Sequence, residues 1–234
     1  MISAAIASLP EEEKKLEDCI ASVKKFADEI VVFRIGTDIP FTSYVETIRN
    51  KMIEKCKGDW VLILDPDERI SESLIIRLKE IVKEGLYDAV KIPRKNIIFG
   101  EWIRHTNWWP DKHIRFFKKG SVFWSETIHK YPDVTGKMLE LPAEENLAIL
   151  HTGYLSISEF IDKQNRYSDI EAENRINNGE RFSWFKFFWW PEREFLARYI
   201  KHLGFLDGTR GFILVFLMMF FKIAVLVKMW EKNK

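Results

Sequence analysis

The chain has 234 residues, enough for one substantial core or for one domain with a helical appendage. Hydrophobic residues make up 47% and charged residues 30%, which excludes disorder over most of the length, and a formal net charge of +1 gives no basis for a nucleic-acid partner. The cysteines, Cys19 and Cys56, form no CxxC and have no histidine at zinc spacing; they are read as reduced and cytosolic, and no export signal is expected at the N-terminus.

In chain order, residues 2–8 are a short apolar run that predicts a strand. Residues 11–26 carry Leu16, Cys19, Ile20 and Val23 at helical spacing. A β-branched run at 30–33, a helix at 47–56 and a buried strand at 59–64 follow. Ser71 is placed to cap a helix over 72–82, and 89–93 reads as another strand. This alternation predicts an α/β fold, a mostly parallel mixed sheet with helices on both faces. Residues 96–150 are broken by glycine and proline, with short strands at 114–117 and 122–124. The chain turns helical from Ser156, where Ser156 and Glu159 have the spacing of a capping box.

Residues 211–227 are apolar except for Lys222, with Arg210 before them and Lys228, Lys232 and Lys234 behind. That run is shorter than the roughly 20 residues a spanning helix needs and has a charge near its middle. A helix of about 211–230 lying in the membrane interface, its lysines reaching anionic headgroups, fits this pattern; a spanning helix and a buried core or oligomer helix are the alternatives. The aromatic run at 182–190 reads either as a second interfacial element or as packing beneath the tail helix.

The sharpest local feature is the end of the strand at 59–64. A fully apolar run stops abruptly at Asp65-Pro66-Asp67-Glu68. Ligands of open α/β sheets bind at the carboxyl ends of strands. Two carboxylates one residue apart there suit a hard cation, Mg2+ or Mn2+, which needs only one or two protein ligands when it also holds diphosphate oxygens. An Asp-Pro-Asp turn leading into the cap at Ser71 is the structural alternative.

With these residues in view, the run GDWVLILDPDERIS (58–71) resembles the DxD segment of family 2 glycosyltransferases with the GT-A fold, and among them bacterial enzymes of the lipopolysaccharide core and envelope glycans. Similar segments recur in order along nearly the whole chain: ADEIVVF (27–33), Arg49-Asn50, KIPRKNIIFGEWIRH (91–105), WWPDKHIRFFKKG (108–120), His129, HTGY (151–154), NRYS (165–168) and GFLDGTRGF (204–212). The resemblance implies an inverting transfer from a nucleotide-diphosphate sugar to a hydroxyl of a lipid-linked or lipopolysaccharide-type acceptor. It implies that Asp65, Asp67 and His151 hold the metal, with Asp65 also near the nucleotide, and that Arg49 and Arg115 meet phosphate. One general base is required. The usual His-Glu is His129-Lys130 here, so Asp111 and Glu126 are the candidates. The usual aspartate after the second strand is replaced near Phe33-Arg34, and Asp38 is the residue placed to take over. Trp102, Trp108, Trp109 and Trp124 are candidates for sugar stacking or for plain packing.

These readings together give a GT-A-like domain over residues 1–155 and a helical membrane-associating region over 156–234. The expected location is the cytoplasmic face of a bacterial inner membrane, with homo-oligomerisation open. The rival reading is a catalytically degenerate scaffold that serves as a membrane-bound partner protein.

Overall fold

The computed structural model describes residues 1–38, 46–124 and 132–232. Two compact units are distinguished: residues 1–95 with 111–151, and residues 96–110 with 152–234.

The first unit begins with β1 (Ile2–Ser8), a 3-10 turn, α1 (Glu13–Val23), β2 (Glu29–Arg34), α2 (Glu46–Lys55), β3 (Trp60–Leu64), β4 (Glu68–Arg69) and α3 (Glu72–Glu84). The chain continues with β5 (Ala89–Ile98), the second unit's β6 (Glu101–Trp102), β7 (Asp111–Lys118), the pair β8 (Val122–Phe123) and β9 (Asp133–Val134), β10 (Met138–Glu140) and β11 (Ile149–Tyr154). Among the described residues the sheet runs β2-β1-β3-β7-β5-β11-β4, with β6 and β10 added on β5. β1 pairs in parallel with β2 and β3, and β7 is antiparallel to both β3 and β5. β1, β2, β3 and β5 therefore point the same way, with one reversed strand inserted. This is the mixed α/β sheet that the alternating pattern predicts.

β1 and β3 are buried at every position because both of their faces are covered. Ala4, Ile6, Leu62 and Leu64 face Leu16, Cys19 and Val23 of α1 and Leu74, Leu78 and Ile81 of α3. Ala5, Ala7, Val61 and Ile63 face Ile48, Met52 and Ile53 of α2. The one-residue alternation of strand side chains divides each apolar run between two cores. α3 starts where the sequence places it: Ser71 Oγ accepts the Leu74 N–H at 3.1 Å. It ends on Gly85 at φ +66, the left-handed position that glycine occupies without penalty. Among the described residues β8 pairs with β9 alone, as a ribbon outside the main sheet.

The second unit contains α4 (Ile157–Asn177), α5 (Trp184–Phe195), a 3-10 turn at Gly204–Asp207 and α6 (Gly208–Lys232). α6 packs on both α4 and α5. The Ser156–Glu159 box forms: Ser156 Oγ accepts the Glu159 N–H at 3.1 Å, and Glu159 accepts the Leu155 N–H at 2.8 Å. At the start of α6 a side chain at Gly211 would collide with the Gly204 carbonyl, so only glycine allows this close approach. The GFLD segment works through Asp207. Its buried carboxylate accepts the backbone N–H groups of Arg104 and His105 at 3.1 and 2.9 Å and the Thr106 hydroxyl at 2.8 Å.

The aromatic run is divided between two faces of α5, and one of them packs beneath the tail helix. Phe182, Phe187 and Trp190 pack against Ala172 of α4 and Val225, Leu226 and Met229 of α6. Trp184, Phe185, Phe188 and Trp189, at i, i+1, i+4 and i+5, form the opposite, exposed face. α6 likewise exposes Phe212, Phe216 and Phe220. Among the described residues one helix, ending at Lys232, is long and apolar enough to cross a membrane, and only 33% of its most apolar window is buried.

Candidate active site

The site lies in the first unit, at the carboxyl end of β3. The chain leaves that strand through a tight turn: Asp65 N–H donates to Glu68 Oε2 at 3.0 Å, and Glu68 N–H donates to the Asp65 carbonyl at 3.0 Å. The turn delivers Glu68 and Arg69 into β4, which pairs with β11 so that Glu68 stands opposite His151. One short segment thereby brings Asp65, Asp67, Glu68 and His151 together.

Around it runs a chain of alternating charges. Arg49 Nη2 on α2 lies 3.9 Å from Asp65 Oδ1. Arg115 Nη2 on β7 donates to Asp65 Oδ2 at 2.7 Å and to Glu68 Oε1 at 2.6 Å. Arg94 on β5 reaches the same Glu68 oxygen at 3.4 Å and donates through Nε and Nη2 to Asp111 Oδ2 at 2.9 and 2.6 Å. Asp111 Oδ1 closes the series on His113 Nε2 at 2.8 Å. Three guanidiniums thus offset three carboxylates. Glu68, with a fully buried side chain, is the centre that neither Arg94 nor Arg115 can lose without cost.

Burial opposes ionisation of Asp65, but the Arg115 and Arg49 guanidiniums outweigh it and hold the carboxyl well below the usual range. Asp111 behaves alike: burial resists its charge, while the His113 hydrogen bond and Arg94 prevail. Arg115 is pushed up, its two carboxylates overcoming a burial that disfavours the cation. Its Nε and Nη1 are buried and have no hydrogen-bond partner among the described residues. That is unused donor capacity beside the Asp65–Glu68 turn.

Asp67 and His151 form a second, separate pair. The side chains are 10% and 12% exposed, with Asp67 Oδ2 at 3.6 Å from His151 Nε2. Among the described residues no group of three His, Cys, Asp or Glu side chains is arranged to hold a metal ion. Asp65 is engaged by two arginines, and Asp67 with His151 is a donor pair that could take a hard cation.

The other sequence candidates fall as follows. Asp38 is exposed just past β2, the neighbour of β1 in the sheet, and accepts the Arg34 N–H at 2.9 Å. Arg49 and Asn50 divide their work: Arg49 faces Asp65, while Asn50 clamps the Trp124 backbone through both its amide atoms, at 2.7 and 3.0 Å. Trp124 itself is buried against Phe117. Trp102, Trp108 and Trp109 belong to the second unit, where Trp102 meets Trp109 edge-on and Trp108 packs on Tyr154 and Phe160. Glu126 and His129 lie outside the described residues. Sequence reasoning missed Glu68, Arg94 and His113. The signal available for Glu68 was a third acid beside the DxD pair. Arg94 and His113 carried none, because their meeting at Asp111 depends on β5 and β7 being neighbours.

No protein-family profile matches the chain. An uncharacterized glycosyltransferase of Rickettsia typhi is 26% identical over 255 residues, covering 95% of this chain and 86% of that protein. The lipopolysaccharide core biosynthesis glycosyltransferase LpsC of Rhizobium meliloti is 23% identical over 226 residues, covering 86% and 82%. The chain is related to bacterial glycosyltransferases. Among solved structures, S. aureus TarS 1–349 in complex with UDP matches at a TM-score of 0.45 and 14% identity, covering 100% of this chain and 92% of that one. A likeness at that score is too weak to carry a functional inference.

Proposed function

We propose that the chain is an inverting, family 2 type glycosyltransferase that moves a hexose or heptose from a nucleotide-diphosphate sugar to a hydroxyl of a lipid-linked or lipopolysaccharide-type glycan. The observation that carries this reading is the charge chain Arg49–Asp65–Arg115–Glu68–Arg94–Asp111 beside the Asp67–His151 pair, at the carboxyl edge of parallel strands. Arg115 would offer its unused buried donors to a phosphate oxygen, and Asp38, just past β2, would contact the nucleoside. Asp67 and His151 would hold Mg2+ or Mn2+, which when bound neutralises charge on a departing diphosphate. A single base then suffices, since the leaving group needs no protonating carboxylic acid.

The test is a calorimetric titration of the full chain with UDP, GDP and CDP, each with and without Mn2+. Metal-dependent binding of one nucleotide is the expected result. No binding of any of them sinks the transferase reading and favours a degenerate scaffold.

The exposed aromatic faces of α5 and α6 support docking on a membrane, at the cytoplasmic face where a lipid-linked acceptor would be presented. Aromatic side chains suit the interface, and the exposed Arg181, Arg193 and Lys201 on or beside α5 suit anionic headgroups. In flotation with vesicles of phosphatidylcholine and phosphatidylglycerol, the wild-type chain should rise with the lipid. Phe185→Glu with Phe188→Glu, at positions 73% and 66% exposed, should leave most of the protein at the bottom without lowering its melting temperature. A double variant that floats like the wild type removes α5 from the docking surface.

A further inference from the structure

We propose that His113 is the general base of the transfer, taking the acceptor hydroxyl proton on Nδ1 while Asp111 holds its Nε2–H. This assignment rests on the transferase reading and narrows it to one atom.

The tautomer follows from the neighbours. Asp111 is ionised and can only accept, and its Oδ1 lies 2.8 Å from His113 Nε2. The ring proton therefore sits on Nε2 and the lone pair on Nδ1. Nδ1 has no hydrogen-bond partner among the described residues, and the side chain is 40% exposed. An imidazole fixed on one nitrogen by a buried carboxylate and open on the other is arranged to accept a proton.

Asp111 is the poorer base of the two. Oδ2 takes two hydrogen bonds from Arg94 and Oδ1 takes the one from His113, and these partners hold the carboxylate ionised against its burial. A carboxylate with so little affinity for a proton is an orienting group. The charged groups that face His113 are Asp111 and Arg115 on its own strand and Arg94 on β5. Burial and the two arginines lower its basicity and Asp111 raises it, with a net shift below the ordinary histidine value. The ring is therefore neutral at pH 7, the form a base requires.

In the step itself, the acceptor O–H proton passes to Nδ1 and the acceptor oxygen bonds to the anomeric carbon. The anomeric C–O bond to the diphosphate breaks, and its electron pair leaves with the nucleoside diphosphate. His113, then cationic beside Asp111, returns the proton to solvent.

The informative variant is His113→Gln, whose amide can still donate to Asp111 but cannot accept a proton. The probes are tritiated nucleotide sugars of the base found by titration, with truncated-core lipopolysaccharide as acceptor. We expect kcat to fall roughly 10²- to 10⁴-fold, the range general bases contribute. Nucleotide affinity should stay within about twofold, and the acidic limb of the kcat–pH profile should vanish. A kcat within about threefold of wild type, or a retained acidic limb, overturns the assignment. Imidazole ¹⁵N spectra provide a check independent of turnover. At pH 7 they should place the His113 proton on Nε2, and Asp111→Asn should disturb that preference. A proton found on Nδ1 also overturns it. A wild-type chain that binds no nucleotide defeats the transferase reading instead, which is a different result from failure of His113→Gln.

Discussion

Asp67→Asn should abolish the metal-dependent part of nucleotide binding and leave the fold standing. The Asp67 carboxylate faces His151 Nε2 at 3.6 Å, so the change removes a candidate ligand charge. Asparagine keeps the volume and one oxygen but loses the anion that a hard cation prefers. In titrations with Mn2+ present, affinity should drop by at least roughly 100-fold, whereas binding without metal should be unchanged. His151→Gln should cost less, about 10- to 100-fold, as expected of a secondary or supporting ligand. The melting temperature of both variants should stay close to wild type. Asp65→Asn is the informative control. If it removes metal dependence and Asp67→Asn does not, the metal sits on the first carboxylate of the DxD pair, and the arginines must rearrange to release it.

The parts legible in the sequence are those written in local periodicity. β1 and β3 announce themselves as apolar runs, α3 by Ser71 and its Leu74–Leu78–Ile81 spacing, and the Ser156–Glu159 box by its own arithmetic. The DxD turn was visible because a buried strand ends abruptly in acids. Short pairings such as β4 with β11 were not visible, since two-residue strands carry no pattern of their own. The charge chain was hidden for a related reason. Arg94, Asp111 and Arg115 come from two antiparallel strands whose register, Arg94 opposite Asp111, is fixed only in three dimensions. Periodicity shows which residues are apolar but says nothing of which buried charges will meet. The tail shows the same limit: its hydropathy was plain, but that α5 would present one aromatic face outward and one inward needed the packing against α4 and α6.

Glu68 should prove the most sensitive stability position of the site. Its side chain is wholly buried and its oxygens take Arg115, Arg94 and the Asp65 backbone N–H. Breaking one partner of a buried ion pair costs about 3–5 kcal/mol, because the other charge stays behind unsolvated. Glu68→Gln should therefore lower the thermal midpoint by roughly 10 °C, given the few degrees per kcal/mol typical of domains this size. The loss falls on Arg115 and Arg94, which Glu68 shares with Asp65 and Asp111. The folded pKa values of Asp65 and Asp111 lie below the unfolded value of about 3.9. Their stabilising contribution is thus complete above that value and is lost only as pH falls through the lower, folded values. The deficit in Glu68→Gln should accordingly be the same at pH 6 and pH 8. A Glu68→Gln midpoint within about 2 °C of wild type would mean that water reaches Arg94 and Arg115, and the site would then be an open polar cleft with no sealed charge chain at its base.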